Sequence, residues 1–210
     1  ERNPSCNYIG VDIKGARLWK GAKYAEDHGL KNVAFLRTRI EFIESLFAAD
    51  EVSEIWITFA DPQIGREKKR LTAPLFMNRY RNFLKPGGIV HLKTDSRYLH
   101  EYSIAMARQN DLKILAYGTD IYGVDREQLY ASELSSVSGR SAIDALFEVQ
   151  TFYESQYLAQ GFPITYLAFL ADHSGDYISP EWAEDLWKDE GHHFVIPSGL
   201  PVAPKFYPEG

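Results

Sequence analysis

The chain has 210 residues, 45% of them hydrophobic and 14% aromatic, enough to bury one full core, and no uncharged apolar run reaches the roughly 18 residues of a membrane span. Twenty-nine acidic against 23 basic residues give a formal net charge of -6, which excludes a surface that wraps nucleic acid indiscriminately; any such contact must use a local patch. The single cysteine, Cys6, excludes an internal disulfide and dithiol redox chemistry, and with no signal-peptide pattern over residues 1–12 it predicts a soluble protein of the reducing cytoplasm.

In chain order, Tyr8-Ile9-Gly10-Val11-Asp12 is a short apolar run closed by an acid, and residues 14–28 carry Leu18, Ala22 and Ala25 at helical spacing before Gly29. Residues 33–36 predict a second strand, Ile40, Ile43, Leu46 and Phe47 an amphipathic helix, and residues 55–59 a third strand. After the polar loop 61–70, Phe76, Tyr80, Phe83 and Leu84 give helical spacing, Lys85-Pro86-Gly87-Gly88 is a turn, and residues 89–92 resume a strand. Thr94-Asp95-Ser96 opens a helix with Tyr98, Tyr102 and Met106 on one face, followed by a strand at 112–116. Residues 118–150 are less regular, 151–160 predict a helix stopped by Gly161, and 164–170 a final buried strand. The tail 173–210 holds five of the ten prolines, with a possible helical turn at 181–188, and is expected to pack on the surface or stay partly disordered. Strands alternating with helices imply parallel pairing and an open doubly wound α/β sheet. The first strand begins almost at once, so the chain is expected to be truncated at its start.

Ligands of such a sheet sit at the carboxyl ends of the strands, where Asp12, Arg39, Asp61 and Asp95 fall. Asp12 suits either the hydroxyls of a ribose or a solvated turn. In the loop after the third strand, Asp61-Pro62 is followed by Arg66, Lys68, Lys69 and Arg70, which read as phosphate contacts or as a solvated charge run. Asp95 reads as a cleft carboxylate or part of a cap, and Thr151-x-x-Glu154 as a capping box. The scattered histidines lack partners at ligand spacing, so no metal site is predicted.

Taken together, Ile9-Gly10-Val11-Asp12, Gly29-Leu30-Lys31-Asn32-Val33, Phe59-Ala60-Asp61-Pro62, Lys68-Lys69-Arg70-Leu71, Leu84-Lys85-Pro86-Gly87-Gly88, Thr94-Asp95 and Thr151-Phe152-Tyr153-Glu154 resemble the bacterial tRNA (guanine-N7)-methyltransferase family over about residues 8–170. The resemblance implies a Rossmann-like methyltransferase fold over residues 1–172, its N-terminal strand and glycine-rich loop outside this chain, with 173–210 as an irregular tail. It implies S-adenosylmethionine as methyl donor without a metal, tRNA as substrate, and neither a membrane nor a protein partner. Carried over by position, it makes Asp12 the ribose acid, sets Arg39 and Ile40 beside the adenine, and places Asp61 as the catalytic group where donor and guanine meet. Lys68, Asp95, Thr151 and Glu154 become substrate-binding, and Arg66, Lys68, Lys69 and Arg70 hold tRNA phosphates. The chain departs from the family in having Ala60 for proline, Gln63 for tryptophan, Arg39 for an acid and a shorter loop before Lys68, which leaves Gly65 and Lys68 as the two candidates for the family's substrate lysine. The alternatives are a methyltransferase of a small molecule, for which the basic run is incidental, and a non-catalytic RNA-binding relative.

Overall fold

The computed structural model describes residues 3–183 and divides the chain into two units, with the boundary between Ala48 and Ala49. The first unit is a strand–helix–strand: β1 (Tyr8–Asp12), α1 (Gly15–Asp27) and β2 (Val33–Arg37), the strands parallel and in register from Tyr8↔Val33 to Asp12↔Arg37. Gly29, at φ 63°, ends α1 in the left-handed region where a side chain is penalised, and the turn lets the Leu30 N–H reach the Ala25 carbonyl at 2.9 Å. Of the expected apolar face, Ala25 alone is buried, while Ala22 is exposed. The amphipathic helix expected from Ile40 is a 3-10 helix, Ile40–Ser45. Three residues per turn align Ile40, Ile43 and Leu46, and only Ile43 is buried, too little apolar contact to extend the element into an α-helix.

The second unit is a four-stranded sheet in the order β3 (Val52–Thr58), β4 (Leu84–Thr94), β6 (Thr165–Leu170), β5 (Ile114–Gly118). β3 and β4 are parallel, and β6 runs antiparallel to both β4 and β5. Three of these four strands therefore share one direction, as the mostly parallel expectation requires, and β6 alone is reversed. Between them lie α2 (Pro74–Tyr80), α3 (Arg97–Gln109), α4 (Arg126–Tyr130), α5 (Glu133–Ser138), α6 (Arg140–Glu148) and α7 (Phe152–Ala159). The predicted turn at residues 85–88 is absorbed into β4 as an irregularity: register jumps from Val52↔Leu84 to Glu54↔Ile89, with Gly87 at φ 74°.

From Ile89 to Thr94 every residue of β4 is buried, so helices cover both faces. One apolar cluster joins Ile89, Leu115, Tyr166 and Ala168 of the sheet to Leu129, Leu134, Ile143, Leu146 and Phe147 of α4–α6. Strand alternation puts His91 and Lys93 on that same face. The less regular stretch expected at 118–150 thus contains three short α-helices, each hiding one to three apolar residues.

Past β6, the tail's described part packs down. Tyr177 is buried, its hydroxyl donates to the Ala171 carbonyl at 2.6 Å, and the Ile178 backbone pairs with the Asn110 side chain through two hydrogen bonds. Residues 181–183 are not helical, and the rest of the turn expected to 188 lies outside the described residues. Among the described residues, no helix is long and apolar enough to cross a membrane.

Candidate active site

The Phe59 N–H donates to the Lys93 carbonyl at 2.9 Å, continuing the β3–β4 ladder to its carboxyl end. Asp61 and Asp95 each lie two residues further on, so two adjacent parallel strands deliver acids at equivalent positions. The Asp61 loop is sharply bent: Phe59 and Gln63 have φ of 50° and 52°, left-handed values that cost a non-glycine residue about 1 kcal/mol or more apiece. Asp61 Oδ1 accepts the Gln63 N–H at 2.9 Å, which braces the turn while the carboxylate stays exposed.

The basic run splits by side. Arg66, Lys68 and Lys69 are exposed, whereas Arg70 is fully buried. Its Nε donates to the Pro62 carbonyl at 3.0 Å and its Nη2 to the Gln63 carbonyl at 3.2 Å and to the Tyr98 hydroxyl, and its guanidinium lies 4.8 and 4.0 Å from the ring centroids of Tyr98 and Tyr102. Trp182 stands edge-on to both rings. The phosphate contact expected of Arg70 is therefore corrected: a guanidinium with no exposed surface, stacked on the rings of Tyr98 and Tyr102 and bonded to two carbonyls and a hydroxyl, presents no face to a polyanion. Glu67 also turns inward, accepting the Tyr102 hydroxyl at 2.5 Å.

At the end of β4, the helix cap is Ser96, whose hydroxyl accepts the Leu99 N–H at 3.1 Å, and Asp95 is left for other work. Asp95 is partly buried, and burial raises its pKa above the ordinary carboxylate value; a hydrogen bond from Tyr157 pulls the other way. Thr151 and Glu154 form the expected capping box of α7, with bonds of 3.1 and 3.2 Å. Glu154 is fully buried and its Oε1 is taken by Lys93 Nζ at 2.5 Å and by the Tyr122 hydroxyl at 2.6 Å. Both oxygens are thus engaged inside the fold, and Glu154 presents no exposed surface. Thr151 is exposed, and its side chain serves the cap only as an acceptor, through its hydroxyl oxygen.

In the first unit, Asp12 closes β1 as predicted. Its Oδ1 accepts the Lys14 N–H at 2.9 Å, Oδ2 lies 3.6 Å from Arg17, and the side chain is 26% exposed, so lone pairs remain for a diol. That carboxylate fits a ribose. Arg39 caps the 3-10 helix by its backbone and its exposed side chain is paired with Glu41 at 3.1 Å, and Ile40 follows it, partly buried.

Sequence reasoning missed Lys93, Tyr122 and Tyr157. Lys93 carried a usable signal, since a cation inside a buried strand demands a partner; beyond its Glu154 pair it donates to the Leu146 carbonyl at 2.7 Å. The same face holds a second polar group: His91, stacked 3.9 Å over Trp56, hydrogen-bonds Tyr166 at 2.8 Å and lies 3.3 Å from Glu54. Burial lowers the pKa of His91.

A family model described as "Putative methyltransferase" matches residues 1–126. The chain is 49% identical over 170 residues to a protein of Christiangramia forsetii called tRNA (guanine-N(7)-)-methyltransferase, covering 80% of this chain and 69% of that one. It is 44% identical over 197 residues to the protein of that name from Bacteroides thetaiotaomicron, covering 94% and 72%, and 40% identical over 185 residues to that from Porphyromonas gingivalis, covering 86% and 68%.

Proposed function

Because the chain belongs to the tRNA (guanine-N7)-methyltransferase family and transfers the methyl group of S-adenosylmethionine to N7 of a guanine in tRNA, we propose that Asp61 and Asp95 are the groups that handle the base. The observation that carries this reading is the delivery of both acids two residues past one β3–β4 hydrogen bond, one exposed and one partly buried, at the ligand-binding end of the sheet.

Guanine N7 has an available lone pair, so no proton is removed before transfer and no general base is needed. The bound donor supplies an electrophilic sulfonium methyl. What the protein supplies is alignment of N7 and negative charge beside a purine that becomes cationic. Asp61, exposed on a braced loop, orients the guanine and stabilises that charge. Asp95 accepts the N1 and N2 hydrogens, a pairing that selects guanine over adenine. Thr151 lends its hydroxyl proton to the substrate. Asp12 holds the donor's ribose, with Arg39 and Ile40 beside the adenine through their backbone.

Arg66, Lys68 and Lys69 bind tRNA phosphates, with Lys68 in the place of the family's substrate lysine. Residues 1–172 act as the methyltransferase domain of a cytoplasmic protein.

The deciding measurement is methyl transfer to unmodified tRNA by the Asp61→Asn variant. The expected result is a fall in kcat on the order of 10²-fold with donor binding retained, the cost typical of losing one transition-state charge contact. An unchanged rate sinks the assignment.

A further inference from the structure

Arg70 is the one member of the basic run that a phosphate cannot reach, yet it is the most heavily bonded. Its two loop acceptors, the Pro62 and Gln63 carbonyls, are the two residues directly after Asp61. Its third acceptor, the Tyr98 hydroxyl, lies one helical turn beyond Asp95 on α3. The guanidinium therefore ties the loop that carries one acid to the helix that follows the other. Tyr102 adds a second tie by donating to Glu67, and Trp182 covers both tyrosines.

We infer that Arg70 is a positioning residue, a buried pin that fixes the Asp61 carboxylate relative to Asp95 for methyl transfer. This rests on the reading that those two acids handle the guanine. The chemistry requires arginine. A planar guanidinium presents several N–H donors in a fixed fork and stacks on aromatic faces, so it serves two carbonyls and a hydroxyl while lying between two rings. The left-handed Phe59 and Gln63 explain why a pin is needed: a loop held in sparsely populated backbone states relaxes unless its surroundings over-determine it. A lysine keeps the charge but not the fork.

Arg70→Lys separates the pin from the phosphate contact that the sequence suggests. A phosphate accepts an ammonium as a point charge, so a phosphate role predicts near-normal turnover in the lysine variant. A pin predicts kcat lower by on the order of 10²-fold, because a displacement of about 1 Å is enough for that, while the salt dependence of tRNA binding is unchanged. In the Asp61→Asn background, Arg70→Lys should add no further loss, since the pin acts through Asp61.

Full turnover by Arg70→Lys overturns the inference, as does a loss that simply multiplies with that of Asp61→Asn. If Arg70→Lys does not fold, Tyr98→Phe replaces it: the ring stays, the hydroxyl acceptor goes, and a kcat equal to that of the unaltered protein overturns the pin. Asp61→Asn working at full rate removes the reading on which the inference rests, an outcome distinct from impaired Asp61→Asn with normal Arg70→Lys, which removes the pin alone.

Discussion

Asp95 and Glu154 are carboxylates within one neighbourhood, and their hydrogen bonds assign them different work. Glu154 is neutralised by Lys93 and spent inside the fold; Asp95 has a tyrosine donor and a pKa that burial raises. With the carboxylate as the working form, acidification protonates Asp95 before it protonates an exposed acid, so kcat/KM for tRNA falls on the acid side. Tyr157→Phe takes away a donor that favours the charged form, and the acid limb should move to higher pH; a limb that stays in place refutes the contact. The same sign makes ionised Asp95 a cost to folding above its native pKa, and that cost vanishes below the ordinary carboxylate range. The sequence showed the acids at strand ends because position 2 past a strand is a pattern. It did not show which polar residues face inward: Arg70 and Lys69 are adjacent cations of one charged run, and the buried partners that only the guanidinium fork can serve, Tyr98 and the Pro62 and Gln63 carbonyls, are far from obvious in the sequence.

At the scale of elements, α7 docks on the end of β4 through two side chains one turn apart, Glu154 to Lys93 and Tyr157 to Asp95. Its start is secured by the capping box. Thr151→Ala should lower the free energy of unfolding by about 1 kcal/mol, read from the urea midpoint, with Thr151→Ser restoring most of it; an unmoved midpoint removes the capping role. Strand–helix alternation up to β5 was legible from periodicity, and Ser96 and Thr151 from cap chemistry. The helices α4–α6 were not, since elements of five to nine residues span too few turns to display a face. Nor was the reversal of β6, because a strand buried on both faces reads the same in either direction.

For the whole molecule, a net charge of -6 must be reconciled with a polyanionic substrate. Arg66, Lys68 and Lys69 are exposed cations on the loop that follows Asp61, the acid proposed to meet the base. Replacing all three by alanine should make log Kd for tRNA less steep against log salt by roughly 2–3, one contact for each cation; an unaltered slope counts against phosphate binding there. The box around Arg70 gives the assembly a direction in time. Its lid, Trp182, is made long after the loop it helps hold. On a ribosome the sheet's first strands, the Asp61 loop and α3 emerge while that lid is still unsynthesised. A growing chain thus has both acids before it has the ring that completes the packing around Arg70.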